Sequence, residues 1–417
     1  MMMEIPDASA GSATNTASQR RRLALVLIGL VTIPSYTSVF PVFGTRIREY
    51  FDISAEQYGT LMGLSSFGRI PSLIFIGLLI ASLGTRRIVT LAVVGTGASF
   101  LVIGMGGKLS TFQAGMVAIG LFTAMGGVAI PALMIALYPA LKRRMFSVQL
   151  VASAAPAILF PFLAQQMLVW SASRGDRAFA DVLFVPFIIA GAVLLAGGGL
   201  LAVRRQTEVR VELETPSAIK PRELLNYRTF LIVLMIALHG AADNTVYQFL
   251  PQFMETHFQR LPLSTAWAVA GHALAYVLTR SFLCVLPERF GQRAILTLAG
   301  PIGGLTVIGT LWFGTPTMVP VLYTIACLFF AAEYPVLVSE ISSQSTGNFG
   351  SVLAAGLLAS ELVTFALLKG TGRLADQTGD FRVALSVAAC GFIAFGVIAA
   401  FAGFGKSASA SNGKTDG

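Results

Sequence analysis

Long runs of apolar residues alternate with short polar connections along the whole chain. Twelve of these runs reach the roughly 20 residues that a helix needs to cross the hydrocarbon core of a bilayer. Within them the pattern does not alternate residue by residue, as the strands of a membrane β-barrel would. We therefore predict twelve transmembrane helices, over residues 24–44, 57–80, 88–107, 112–138, 147–170, 181–203, 229–252, 264–286, 294–314, 317–338, 349–369 and 383–404.

The polar segments divide the chain into two halves. Residues 1–22 are small and polar and end in three arginines, so we predict a disordered cytoplasmic N-terminus followed by a retained first helix rather than a cleaved signal peptide. The longest connection, 204–228, is highly charged and separates six runs from six. The predicted units are an N-terminal bundle over 23–203, a cytoplasmic linker over 204–228, a C-terminal bundle over 229–404 and a cytoplasmic tail over 405–417.

Composition narrows the classes of protein that fit this pattern. Hydrophobic residues make up 55% of the chain, charged residues only 12%, and the mean hydropathy is +0.75. A soluble core could not bury so much apolar surface, and disorder requires low hydrophobicity with high charge. The three cysteines are too few for a disulfide scaffold, and the three histidines lack the spacing of metal ligands. We predict a membrane protein that has no metal site or cofactor and is not an enzyme.

Lysine and arginine are distributed unevenly between the two sets of connections. With a cytoplasmic N-terminus, 18 of them lie on the cytoplasmic side, eight lie on the opposite side and three lie within predicted helices. Positive residues accumulate in the cytoplasmic loops of membrane proteins. The net charge of +9 therefore reflects topology and does not indicate nucleic-acid binding. We predict a multi-pass protein of the inner or plasma membrane with both termini in the cytoplasm.

Equivalent connections in the two halves carry related motifs. After the second run the chain reads Gly77-Leu-Leu-Ile-Ala81-Ser82-Leu-Gly84-Thr-Arg86-Arg87. After the eighth run it reads Leu286-Pro-Glu288-Arg289-Phe-Gly291-Gln-Arg293. A third, partial copy follows the eleventh run as Gly372-Arg-Leu-Ala-Asp376-Gln-Thr-Gly379. Internal repeats are typical of secondary transporters.

With these motifs the chain resembles the major facilitator superfamily, whose signature G-x-L-a-D-R-x-G-R-R lies between spans 2 and 3 and recurs between spans 8 and 9. The resemblance covers nearly the whole chain after residue 22. It implies an all-α integral membrane protein with two pseudo-symmetric six-helix bundles. Spans 1, 4, 7 and 10 would line a central cavity, and spans 2, 5, 8 and 11 would form the seam between the bundles. The resemblance also implies a cytoplasmic gating motif made of Gly77, Gly84, Arg86, Arg87, Glu288, Arg289, Gly291 and Arg293.

The chain departs from the family's signatures in two places. Ala81 and Ser82 replace the acidic residue and the following basic residue of the first loop motif, whereas the second copy has both. We therefore expect the gate to depend more on the C-terminal half. Span 5 has Pro156 and Pro161 but lacks the glycines of G-x-x-x-G-P, a signature of many proton-driven drug exporters. This weighs against a multidrug antiporter without excluding it.

Polar side chains inside the predicted helices are the candidate functional residues, because a charge at the bilayer centre costs about 2.5–3.5 kcal/mol on insertion scales. In span 7 three of them recur every fourth residue and so share one helix face. The candidates for substrate binding or coupling are Asp243, His239 and Tyr247 of span 7, with Arg69, Arg280, Glu361, Glu333 and Tyr36 of other spans. Arg280 also resembles the span-8 arginine of monocarboxylate and oxalate transporters, which meets a substrate carboxylate.

Each candidate also has a structural interpretation. The charged residues can form ion pairs that only hold helices together, and the tyrosines can serve as packing residues. For Asp243, a cation such as Arg69 or Arg280 is one of the partners that the sequence offers. An ionised carboxylate in a span must be hydrated, paired or protonated, and alternating access would change which of these is available.

These observations predict a secondary active transporter, because the chain has no P-loop for nucleotide binding. Proton coupling would act through Asp243, Glu361 or Glu333. The expected substrate is a small polar organic solute, and the two arginines Arg69 and Arg280 leave an organic anion open. Two alternatives remain: a multidrug antiporter of the same fold, and, much less favoured, a polytopic sensor or membrane enzyme. We expect a monomer.

Overall fold

The computed structural model describes residues 23–24, 26–30, 32–138, 142–203, 226–258, 262–283, 292–344 and 349–402. These residues form helices and a few short turns between them, and no strand occurs among them. The helices are α1 (Val26–Phe51), α2 (Ala55–Leu83), α3 (Thr85–Gly106), α4 (Leu109–Leu137), α5 (Lys142–Ala172), α6 (Asp176–Val203), α7 (Tyr227–Phe258), α8 (Pro262–Leu283), α9 (Gln292–Phe313), α10a (Met318–Phe330), α10b (Glu333–Gln344), α11 (Phe349–Thr378) and α12 (Phe381–Ala402).

Hydropathy accounts for most of these helices. Eleven segments of the described chain are long and apolar enough to cross a membrane, and α8 is not one of them. α8 nevertheless has 22 residues, as many as α9, and it packs between α5 and α10a. Its lower hydropathy reflects the polar residues His272, Tyr276 and Arg280. The twelve predicted runs thus correspond to twelve helical spans.

The helices extend beyond several of the predicted runs. α7 begins at Tyr227, so the last two residues of the predicted linker 204–228 belong to a helix. Residues 204–225 lie outside the described part of the chain. α11 continues to Thr378, nine residues past the predicted end of its run, and this extra length carries the third copy of the motif.

Local sequence signals explain where α2 begins and ends. The Ser54 hydroxyl accepts a hydrogen bond from the Gln57 amide, and the Gln57 side chain accepts one from the Ser54 amide. This capping box satisfies two donors that the start of a helix leaves free. At the other end, Gly84 has a φ of +85°, which suits glycine because it has no Cβ to clash.

Helix packing separates a first group, α1–α6, from a second, α7–α12. In the first group α4 packs against α2 and α3, and α3 packs against α6. In the second group α7 packs against α11 and α12, and α9 packs against α10a and α12. The two groups meet mainly where α2 faces α11, α5 faces α8 and α1 faces α7.

Successive helices run in opposite directions, so the connections collect at two ends of the molecule. We call the end that holds the connections 52–54, 173–175, 314–317 and 379–380 the Ser54 end. The opposite end, which holds Gly84, the end of α6 and the start of α7, is the Gly84 end. The two ends are the two mouths of any pathway that runs between the helix groups.

Candidate functional site

A cavity of about 590 Å³ lies between the two groups of helices. Its walls come mainly from α1–α6, and α7 and α11 complete them. The lining is rich in hydroxyl and amide groups, which can bond to a polar solute in either direction. The polar residues of the lining are Ser35, Thr37, Ser38, Ser65, Ser66, Arg69, Thr96, Thr123, Asn244, Tyr247, Gln248 and Thr364.

Two lining groups are buried without a partner among the described residues. They are the hydroxyl of Ser38 and the side-chain oxygen of Gln248. Buried polar atoms are normally bonded, and leaving one unpaired costs about 1–3 kcal/mol. These two atoms come from opposite groups of helices and line the same space. They are the lining atoms with most to gain from a bound polar solute.

Asp243 does not line the cavity itself, but its neighbours Asn244 and Tyr247 on α7 do. Its carboxylate has two polar partners on α8. Its Oδ1 is 2.9 Å from His272 Nε2, and its Oδ2 accepts a hydrogen bond of 2.7 Å from the Tyr276 hydroxyl. Neither Arg69 nor Arg280, the two cations that the sequence offered, is the partner of Asp243 in the described structure. The spacing of polar residues on α7 predicted which face of that helix carries the carboxylate. Which side chains of α8 contact the carboxylate depends on how α8 is rotated about its axis, and the sequence does not give that rotation.

Tyr247 connects this cluster to the cavity. It lines the cavity, and its ring centroid is 4.7 Å from that of His272. The His272 ring is also packed between Tyr276, at 4.5 Å, and Tyr323, at 6.2 Å. Aromatic packing of this kind fixes the imidazole in place. One ring therefore separates the cavity from a histidine–carboxylate pair.

His239, one turn from Asp243, forms a second histidine–carboxylate pair. Its Nδ1 is 2.8 Å from Glu333 Oε2, and Glu333 is fully buried at the start of α10b. The other oxygen, Oε1, has no hydrogen-bond partner in the described structure. Two irregular elements lie next to Glu333. One is a π-helical turn at Ile295–Ala299, and the other is a break in the helix between α10a and α10b. Such π turns are frequent at functional sites.

The remaining candidates fall into different places. Arg69 lines the cavity and its Nη1 is 3.4 Å from Glu361 Oε1, so α2 and α11 are joined by an ion pair. Arg280 does not line the cavity; its guanidinium lies 5.0 Å from the centroid of the Tyr276 ring. Tyr36 is buried against Phe160 and Phe187, consistent with a packing residue.

The gating motif is only partly described. In the first copy, Gly77 lies in α2, Gly84 joins α2 to α3, and Arg86 Nη2 donates a hydrogen bond of 2.7 Å to the Leu201 carbonyl at the end of α6. Arg86 therefore satisfies a helix C-terminus within its own group of helices. Arg87 lies in the first turn of α3 and Arg293 in the first turn of α9. Glu288, Arg289 and Gly291 lie outside the described residues.

The sequence did not indicate the contacts of three residues at or near the candidate sites. His272 and Tyr276 share a face of α8, at the same spacing that singled out His239 and Asp243, and that spacing was the available signal. Asp376 stands in the third motif copy, and its carboxylate accepts hydrogen bonds from the amides of Ala55 and Glu56 at 2.9 and 2.8 Å. The motif repeat pointed to Asp376 without indicating this partner.

The family model described as Major Facilitator Superfamily matches residues 25–345, which is most of the chain. The chain belongs to the major facilitator superfamily. It is accordingly a multi-pass membrane transporter of the alternating-access kind, which takes a small-molecule substrate, and not an enzyme. Among curated proteins, no match was found.

Solved structures share the superfamily's fold with this chain at low sequence identity. A bacterial homolog of the human lysosomal transporter Spinster, inward-facing and unoccupied, is 14% identical with a TM-score of 0.65, covering 92% of this chain and 95% of its own. A variant of the nucleoside transporter NupG is 10% identical with a TM-score of 0.72, covering 91% and 99%. A variant of the E. coli fucose:proton symporter FucP is 14% identical with a TM-score of 0.61, covering 91% and 98%.

Proposed function

We propose that this superfamily member moves a small polar organic solute through the central cavity in exchange for, or together with, a proton. The observation that carries the proposal is the position of Asp243, one aromatic ring behind the cavity wall and bonded to His272 and Tyr276. A partly buried carboxylate beside a histidine can gain or lose a proton when the surrounding contacts change. Solute binding at Tyr247 would alter those contacts directly.

The charges of the cavity lining favour an uncharged solute over an organic anion. The cation of the lining, Arg69, already has Glu361 as an ion-pair partner. A neutral, hydroxylated molecule could bond to the Ser, Thr and amide groups without disturbing this pair. An organic anion would have to displace Glu361 from Arg69, so it requires an exchange of partners. The fold accommodates such solutes, since FucP is described as a fucose:proton symporter.

The test compares wild-type protein with Asp243→Asn in proteoliposomes that contain the pH-sensitive dye pyranine. Fucose, glucose and uridine serve as neutral solutes, and lactate and oxalate serve as anions. We expect at least one neutral solute to move protons in the wild type. Asp243→Asn should abolish this proton movement while counterflow of the same labelled solute continues, because the amide keeps the shape of the site without exchanging a proton.

The exposed acid Asp52, substituted as Asp52→Asn, is the matched control and should leave proton movement unchanged. Proton movement at the wild-type rate in Asp243→Asn would contradict the assignment to Asp243. Counterflow without proton movement in the wild type would contradict proton coupling altogether.

A further inference from the structure

At the Ser54 end, several contacts hold the two groups of helices together. These contacts are separate from the loop motifs at the Gly84 end. We propose that Asp376, bound to the first turn of α2, is the residue that closes this mouth of the transport pathway. The gate opens when α11 releases α2. This inference goes beyond the proposed function, because it requires neither a proton nor any particular solute.

The first observation is the bonding of Asp376. Both of its carboxylate oxygens accept amide hydrogen bonds, Oδ1 from Ala55 at 2.9 Å and Oδ2 from Glu56 at 2.8 Å. These amides belong to the first turn of α2, where donors have no partner within the helix and the helix dipole favours negative charge. Hydrogen bonds to an ionised carboxylate are roughly twice as strong as neutral ones. Asp376 thus completes the cap of a helix in the other group.

The second observation is the closeness of the backbones beneath this cap. A Cβ placed on Gly372 would lie 2.1 Å from the Ala55 carbonyl oxygen, and one placed on Gly59 would lie 2.2 Å from the Leu368 carbonyl oxygen. Neither carbonyl can move aside without moving its helix. α2 and α11 therefore approach so closely only because both positions are glycine.

Neighbouring polar contacts cross the same seam. Arg48 of α1 reaches Gln252 of α7 at 3.4 Å and lies 4.0 Å from Asp376. Lys369 of α11 lies 3.8 Å from Glu56 of α2. Each of these contacts joins one group of helices to the other, at the same end of the molecule. They surround the Asp376 bonds and must break together with them.

The cavity lies directly beneath this seam. Thr364 and Leu368 line it from α11, about two to three turns before Asp376, and Met62 and Ser65 line it from α2, about two to three turns after Ala55. For a solute to pass between the cavity and the Ser54 end, the two groups of helices must part at that end, and the contact between α2 and α11, which both line the cavity, is one of those that join them. The Asp376 contacts therefore act on the transport pathway itself and not only on helix stability.

The chain offers matched controls for both observations. Asp380 caps α12 of its own group, accepting a hydrogen bond of 2.8 Å from the Arg382 amide, and bonds to the Arg382 side chain hold the pKa of Asp380 below its usual range. Gly370 lies two residues from Gly372 on α11, and a Cβ there would meet nothing within 4 Å. Asp380→Ala and Gly370→Ala therefore change the same residue types without touching the seam.

The experiment measures distances by electron–electron double resonance in full-length protein in nanodiscs, after Cys284, Cys327 and Cys390 are replaced by alanine. One spin-label pair, at Ser173→Cys and Thr317→Cys, reports on the Ser54 end. A second pair, at Ser82→Cys and Tyr227→Cys, reports on the Gly84 end. Each pair joins one group of helices to the other, and all four positions are exposed.

We expect Asp376→Ala to lower the ratio of closed to open molecules at the Ser54 end at least about tenfold, given the strength of two charge-assisted hydrogen bonds. A longer distance should appear between 173 and 317, and a shorter one between 82 and 227. Gly372→Ala should do the same because its methyl group excludes the closed contact. Asp380→Ala and Gly370→Ala should retain the wild-type distributions.

Wild-type distributions in both Asp376→Ala and Gly372→Ala would overturn the proposal. An effect of Gly372→Ala alone would overturn the role of Asp376 and leave only the helix contact. If Asp376→Ala does not fold, Asp376→Asn provides the test, since it keeps the size and one acceptor oxygen and should shift the ratio less. Equal shifts in Asp380→Ala and Asp376→Ala would also overturn it, because general destabilisation would then explain both.

Discussion

At the residue scale, most of the candidate ionisable residues in the described spans form pairs, and Arg280, which lies over the Tyr276 ring, is the exception. Asp243 meets His272, Glu333 meets His239 and Arg69 meets Glu361. The sequence identified one or both members of every pair, because a charge in an apolar run stands out. It did not identify which side chain is the partner of which, because the pairing depends on how each helix is rotated against its neighbours.

Glu333 depends on the absence of a side chain at Gly300. A Cβ at this position would lie 2.3 Å from Glu333 Oε1 and 2.4 Å from the Phe392 carbonyl oxygen. We expect Gly300→Ala to destabilise the protein by about 1–3 kcal/mol, the usual cost of overpacking. It should lower the apparent Tm measured by scanning fluorimetry in detergent. Gly309→Ala, on the same helix with nothing within 4 Å of its Cβ, is the control. Equal Tm values for the two variants would show that the pocket around Glu333 tolerates the methyl group.

The Arg69–Glu361 pair can be tested by a double-mutant cycle. Each single change, Arg69→Gln or Glu361→Gln, leaves a partly buried charge without its partner, whereas the double change removes both. We expect each single variant to have a lower apparent Tm than the double variant, with a coupling of about 1 kcal/mol. Additive effects would mean that the two side chains do not interact. In that case Glu361 would not compensate the cavity's charge, and the argument for a neutral solute would fail.

At the scale of helices, apolar run length predicted the number and order of the spans. It worked because a bilayer demands helices of one minimum length, whatever their packing. α8 shows where composition alone becomes insufficient: its His272, Tyr276 and Arg280 lower its hydropathy below that of its neighbours. The π turn in α9 and the break between α10a and α10b each lie just before a proline, Pro301 and Pro335, and proline removes a helical hydrogen bond and clashes with the carbonyl four residues earlier. Run length alone did not use this signal.

At the scale of the whole molecule, the loop motifs and the helix number were sufficient to indicate the superfamily. The resemblance implied a central cavity lined by spans 1, 4, 7 and 10. α1, α4 and α7 do line the cavity, but α2 and α11 line it as well, and no described residue of span 10 does. The orientation in the membrane remains a prediction from the distribution of lysine and arginine. It decides which compartment the Asp376 gate faces.

Cysteine labelling in intact cells tests this orientation. In a background without native cysteines, a single cysteine within 204–228 should resist a membrane-impermeant thiol reagent, whereas one within 174–178 should react fully. The physical reason is the excess of positive residues in the first segment, which disfavours its translocation. Labelling after cell lysis controls for buried positions. The reverse labelling pattern would place the Ser54 end in the cytoplasm.

The uneven construction of the cavity has a consequence for how such a protein diversifies. Its wall is supplied mainly by the first six helices, while both histidine–carboxylate pairs belong to the last six. Under the proposed function, most residues that recognise the solute are therefore encoded in the first half of the gene, and the residues that couple transport to protons are encoded in the second half. Substitutions in the first half can change the cargo while the ion chemistry is inherited intact, and an exchange of halves between relatives would recombine the two properties.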